Sequence, residues 1–89
     1  MYKVVLSKEA AKYYQKADKS TRNRLDDALD AITNNPFNVQ HHDIKPLQEP
    51  LRGLWRYRVG KLRIVYGIDK KTKQIQVVTI HPRGNIYAP

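Results

Sequence analysis

Leu54-Trp55-Arg56-Tyr57-Arg58-Val59-Gly60-Lys61-Leu62-Arg63-Ile64-Val65-Tyr66-Gly67-Ile68 reads as two strands joined by a two-residue loop. Apolar or aromatic side chains take every second position on both sides of Gly60-Lys61, which is the period of a half-buried strand. A Gly-X pair suits a type II′ hairpin turn. Such a short loop fixes the register: Val59 opposite Leu62, Arg58 opposite Arg63, Tyr57 opposite Ile64, Arg56 opposite Val65 and Trp55 opposite Tyr66. One face then carries Trp55, Tyr57, Val59, Leu62, Ile64, Tyr66 and Ile68, the expected core. The other carries Arg56, Arg58 and Arg63.

The flanking sequence fills in the rest of the fold. Tyr2 to Leu6 is a short β segment, and Ser7 is placed to cap a helix over about residues 8–17, with Glu9 in its first turn. Ala10, Tyr13, Tyr14 and Ala17 recur at i, i+3, i+4 and i+7, as do Leu25, Ala28, Leu29 and Ile32 in a second helix. Ser20 is the expected cap of that second helix, and Asn34-Asn35-Pro36 ends it near residue 33. Two or three residues between the helices imply an antiparallel hairpin. Residues 34–53, with Pro36, Pro46 and Pro50, read as a connecting loop with a short extended piece around Ile44 to Leu47. Beyond the hairpin, Gln74 to Ile80 is a further strand, broken by Pro82-Arg83-Gly84-Asn85 ahead of Ile86-Tyr87. The expectation is one α+β domain spanning 1–89, in the order β-α-α-β-β-β. It has a helical hairpin packed on a mainly antiparallel, twisted four-stranded sheet.

The charge is unevenly placed along these elements. The chain has 89 residues, no cysteine, 17 Lys plus Arg, 8 Asp plus Glu and a formal charge of +9. Residues 1–49 hold eight basic and seven acidic side chains, a net of +1, whereas 50–89 hold nine basic ones against Asp69 alone, a net of +8. The first half, with Arg22 and Asp26 spaced i, i+4, reads as a balanced, solvated scaffold. Lack of cysteine excludes a disulfide scaffold and a thiolate zinc site and suits a reducing cytoplasm. No apolar run approaches a signal peptide or the roughly 18 residues of a membrane span, so no membrane association is expected. So strong a positive field points to a polyanion, of which nucleic acid is the commonest, with an anionic membrane surface or an acidic protein as the alternatives that charge alone leaves open.

Arg58 and Arg63 face each other directly, and like charges so opposed destabilise a hairpin. Folding alone does not select that pair. Guanidinium donors match phosphate oxygens bidentately, so this face is a candidate phosphate site. His81, Arg83 and Tyr87 follow the last strand and can approach it if that strand pairs with Leu62–Ile68. His41 and His42 are neighbours that point apart and lack a third ligand, so no metal site is expected there. The basic half also lacks the carboxylates a two-metal nuclease requires. RNA can be cut without a metal, because its own 2′-hydroxyl attacks the adjacent phosphate when held in line and when the phosphorane charge is stabilised. Arginines with a His or Tyr suffice in kind for that chemistry, which leaves a 2′,3′-cyclic phosphate and spares DNA.

The central stretch, W-R-x-R-x-G-x-x-R-x-x-Y from Trp55 to Tyr66, and the terminal R-G-x-x-Y from Arg83 to Tyr87 resemble the RelE/ParE superfamily of type II toxins, nearer its RelE branch. The likeness covers almost the whole chain. It implies an mRNA interferase that enters the ribosomal A site and cuts the bound message, held inactive by a cognate, acidic, RelB-like antitoxin. No cofactor is implied. The family's functional positions fall on Arg56 and Arg58, on Arg63, on Arg83 or His81, and on Tyr87. Arginines stand where some relatives have lysines, and a guanidinium is a poor general base, so the resemblance leaves Tyr87 or His81 for that role. Lys61 at the hairpin tip, with Arg52 and Lys45, is expected to touch ribosomal RNA. The other functions considered are a ParE-like poison of DNA gyrase and a non-catalytic nucleic-acid-binding module.

Overall fold

Ser7 turns the chain from strand into helix, and it does so with one hydroxyl used twice. In a computed structural model, which describes residues 2–37, 43–49 and 53–82, the first strand β1 (Lys3–Leu6) ends there. Ser7 Oγ accepts the Ala10 N–H at 3.0 Å, capping helix α1 (Lys8–Lys16). The same hydroxyl donates to Val78 O at 2.6 Å, tying the helix start to a strand 71 residues away. Helix α2 (Lys19–Asn34) follows almost at once. Its cap is Asp18, whose Oδ1 accepts the Thr21 N–H at 2.7 Å, and not Ser20, which lies inside the first turn. Asp and Ser cap equally well, and α1 runs so close to α2 that the earlier residue takes the position. Asp26, expected beside Arg22, accepts the Tyr14 hydroxyl at 2.6 Å and so links the two helices.

The remaining elements are β2 (Ile44–Pro46), β3 (Trp55–Val59), β4 (Leu62–Asp69) and β5 (Gln74–Pro82). They form one sheet in the order β1-β5-β4-β3-β2, with β1 parallel to β5 and every other pair antiparallel. The helices lie on one face. Ala10, Leu25, Ala28 and Ile32 meet Ile64, Tyr66, Ile75, Val77 and Ile80 in the core, with Trp55, Tyr57, Val59, Leu62 and Ile68 packed around them. The buried Tyr66 donates its hydroxyl to Pro36 O at 3.0 Å, which anchors the end of α2 to the centre of the sheet.

The sheet has five strands rather than four. The extra one is β2, which zips onto β3 through Ile44↔Tyr57, Lys45↔Arg56 and Pro46↔Trp55. It is three residues long and lies at the sheet's edge, where proline's missing N–H costs no ladder bond. The β3–β4 register is as the loop length requires, from Trp55↔Tyr66 to Val59↔Leu62. Gly60 sits at φ +56° and Lys61 does not have a positive φ, which is the signature of type II′ rather than type I′. No helix among the described residues is long and apolar enough to cross a membrane.

Candidate active site: a basic row across three strands

The β4–β5 ladder contains one irregularity, and it decides what faces the arginines. From Asp69↔Gln74 to Tyr66↔Val77 the pairing is regular, but Val65 then pairs with Thr79, so Val78 is an extra residue in β5. A bulge of this kind shifts every later side chain by one position. Ile80 thereby meets Ile64 on the core side, and His81 meets Arg63 on the other. Unbroken pairing would have set His81 against Leu62 on the helix-covered face.

The result is a row, Arg58 on β3, Arg63 on β4 and His81 on β5, in direct register. Adjacent strands are about 4.8 Å apart, so the row spans roughly 10 Å of sheet. A parallel row holds Lys45, Arg56, Val65 and Thr79. Lys45 therefore joins Arg56 instead of standing apart from the arginine face. Lys61 is exposed at the hairpin tip, two residues along the chain from Arg63. Arg52, Arg83 and Tyr87 lie outside the described residues, as do His41 and His42.

An acid from the charge-balanced half of the chain, Asp43, meets these arginines. Asp43 sits just before β2, and its Oδ1 lies 3.1 Å from Arg58 Nε. Its backbone carbonyl accepts the Arg58 N–H at 2.9 Å and an Arg56 Nη1 hydrogen at 3.4 Å. One residue thus fixes strand pairing and the direction of two guanidinium groups. Asp69 is occupied within its own turn, where Oδ1 accepts the N–H groups of Lys71 at 3.0 Å and Thr72 at 3.3 Å. The hydrogen bond from Thr72 holds its carboxyl below the usual range.

Proton chemistry at the row is constrained by the side chains present. His81 Nδ1 is 2.8 Å from Pro82 O, and a carbonyl only accepts, so Nδ1 carries a hydrogen. In the neutral ring the basic lone pair is then on Nε2, which is shielded from solvent, as is Arg63 Nε. Tyr57 and Tyr66 point to the core side of the sheet. Burial raises the phenol of Tyr57, with Asp43 and Asp27 adding to it, and burial raises that of Tyr66 strongly. Neither is a proton acceptor near neutrality. Among the described residues there is no group of three or more His, Asp or Glu able to hold a metal ion. A polar cleft of about 250 Å³ opens beside the row between α2 and the hairpin, lined by Arg24, Asp27, Asp43, Tyr57, Arg58 and Gly60 among others.

The family model described as the ParE toxin of type II toxin–antitoxin systems, parDE, matches residues 4–87. The chain belongs to this family of toxins. Solved structures share the toxin's fold. A chain of the archaeal RelE–RelB complex from Pyrococcus horikoshii is 28% identical, with a TM-score of 0.78 over 94% of this toxin and 97% of that chain. A chain of the RelBE2 toxin–antitoxin complex from Mycobacterium tuberculosis is 22% identical, with a TM-score of 0.76 over 92% and 98%. The YoeB/ParE toxin from Agrobacterium tumefaciens is 20% identical, with a TM-score of 0.80 over 92% and 99%. No curated protein matches the toxin in sequence. The superfamily is thus the RelE/ParE toxins, with both names represented among the matches.

Proposed function

We propose that this toxin is a metal-independent endoribonuclease that cuts messenger RNA in the ribosomal A site by attack of the RNA's own 2′-hydroxyl. The observation that carries the reading is the row Arg58–Arg63–His81, which sets two guanidinium groups and one imidazole in register on a rigid sheet. In this mechanism Arg63 and Arg58 bind the non-bridging oxygens of the scissile phosphate and stabilise the charge that builds up on the phosphorane. Arg56 and Lys45 hold the neighbouring phosphate. His81, whose ring must turn on message binding to uncover Nε2, takes the proton of the 2′-hydroxyl there as its oxygen bonds to phosphorus. The bond from phosphorus to the 5′-oxygen then breaks and the leaving oxygen takes a proton from water, which leaves a 2′,3′-cyclic phosphate and a 5′-hydroxyl. Arg83 also serves the scissile phosphate, and Tyr87 stacks on a base or substitutes as proton acceptor. Lys61 and Arg52 touch ribosomal RNA. The toxin acts in the cytoplasm as a single domain.

Its partner is a cognate acidic antitoxin. Structures of RelE-type and YoeB-type relatives in complex with RelB and YefM support that reading, and so does a charge of +9 on 89 residues. A second reading, a poison of DNA gyrase, is favoured by the ParE description of the matching family. One experiment separates the two. The 5′ ends of cellular messages are mapped after brief induction of the wild type and of Arg63→Ala. Sharp cuts between codon positions that vanish in the variant support the ribonuclease. Intact messages with a DNA-damage response overturn it in favour of gyrase.

A further inference from the structure

The helical hairpin carries a second basic surface that the arginine row does not explain. Lys8, Lys12 and Lys16 stand at i, i+4 and i+8 on α1, all exposed, in a line about 12 Å long at 1.5 Å per residue. Exposed Lys19 prolongs it at the start of α2. Two features of this ridge run against helix stability. Like charges spaced i, i+4 repel. Lys8 lies in the first turn of α1, and Lys19 and Arg22 in the first turn of α2, where the helix dipole disfavours cations and where the acid at hand is Asp18, held at the N-cap by Thr21. The single acid of α1, Glu9, accepts the Thr79 hydroxyl and is thereby turned toward the sheet. Among the described residues no carboxylate pairs with Lys8, Lys12, Lys16 or Lys19.

The ridge begins close to the basic row. Ser7 and Glu9 fasten the start of α1 to Val78 and Thr79, two or three residues from His81. Positive charge therefore runs from the hairpin, across β5, and down α1.

We propose that the ridge Lys8, Lys12, Lys16 and Lys19 is a docking surface for the phosphate backbone of a folded RNA, distinct from the strand bound at the arginine row. The inference rests on the reading that this toxin works on RNA. The lysines supply compact point charges with no forked geometry, which suits sequence-independent contact with a backbone and not the stabilisation of a reacting phosphate. In the ribosome, such a contact orients the toxin while the arginine row meets the message.

The test measures binding to purified bacterial ribosomes programmed with a message whose A-site codon is 2′-deoxy, so that no cut is possible. Dissociation constants are taken between about 50 and 200 mM salt, where counterion release dominates. Wild type is compared with K8Q/K12Q/K16Q and K8R/K12R/K16R. The glutamine variant is expected to fold with a melting temperature at or above wild type. Its log–log salt slope should fall by about 2 to 3, since each lost phosphate contact removes roughly 0.7–0.9. Its affinity should drop at least about tenfold at the lower salt, and the arginine variant should match wild type. A glutamine variant with unchanged slope and affinity overturns the proposal. So does one that keeps its ribosome affinity but no longer binds its acidic antitoxin, which would assign the ridge to a protein partner. Because nothing is cut, a ridge that docks RNA in a toxin that cleaves no message leaves this inference standing and removes the ribonuclease. Failure of wild type to bind ribosomes overturns both.

Discussion

Arg63 and His81 face each other across β4 and β5 because Val78 is one residue more than the ladder requires. The bulge moves an imidazole from the core side of the sheet to the basic side, in register with Arg63 and through it with Arg58. If His81 is the proton acceptor, His81→Gln lowers the single-turnover cleavage rate about 10²–10⁴-fold, the usual worth of general base catalysis, with message affinity unchanged. Arg63→Ala lowers it about 10²–10³-fold, as expected for one lost donor to a developing oxyanion. A His81→Gln enzyme that cuts at the wild-type rate transfers the base role to Tyr87.

Asp43 is the residue that aims the arginines, through its carboxylate to Arg58 and its carbonyl to Arg56. The ion pair is partly exposed, so Asp43→Ala changes stability by less than about 1 kcal/mol. Its kinetic effect is larger and divided. Removing a negative charge beside a phosphate site tightens substrate binding, while freeing Arg58 removes preorganisation. Both KM and kcat should fall, in a steady-state assay on programmed ribosomes. Asp43→Glu should recover part of kcat.

The acid side of the stability curve is set in part by two carboxylates. Backbone hydrogen bonds, from Thr21 to Asp18 and from Thr72 to Asp69, hold both below the ordinary 3.8. Groups with depressed folded values contribute stability that is complete above the unfolded pKa and is lost as pH falls through the folded one. That loss therefore lies below about pH 4. Asparagine makes the same cap and turn without titrating. Asp18→Asn with Asp69→Asn should melt like wild type at neutral pH and lose less stability between about pH 4 and pH 2 in a thermal series.

Gly60 at φ +56° carries the loop that sets the hairpin register. A left-handed conformation costs a residue with a Cβ roughly 1–2 kcal/mol, and here the new Cβ would lie 3.4 Å from Arg24 Nη1. Gly60→Ala should lower the free energy of unfolding by about that amount in urea titration. The ladder bonds of β3 and β4 keep Arg58 opposite Arg63, so the variant should cut messages at close to the wild-type rate.

The hairpin was readable in the sequence because a two-residue loop and strict alternation leave one register, and the core and arginine faces follow from it. The helices were readable from i, i+3, i+4 spacing, though not which of Asp18 and Ser20 caps α2, since both can. The extended piece at Ile44 to Leu47 is readable, but its pairing with β3 is not: three residues, one of them Pro46, are too few to show a period. That gap concealed Asp43. Counted along the chain it belongs to the balanced first half, and only sheet pairing delivers it to Arg58. The bulge at Val78 was equally silent, because Val77-Val78-Thr79-Ile80 is a β-branched run with no alternation to reveal a shift. His81 could thus be placed near the arginines but not in register with them. Lys45 is readable as a basic residue for RNA contact, whereas its place beside Arg56 depends on the β2–β3 pairing.

In the proposed mechanism the row Arg58–Arg63–His81 directs the RNA's own 2′-hydroxyl onto its phosphate. The most direct measurement offers the purified toxin two ribosome-bound messages, identical but for a single 2′-deoxynucleotide on the 5′ side of the cut. The expected result is cleavage of the all-ribose message to a 2′,3′-cyclic phosphate and a 5′-hydroxyl, in buffer containing a metal chelator, and no cleavage of the deoxy message. Equal cutting of the two messages, or cutting that chelation abolishes, would contradict it.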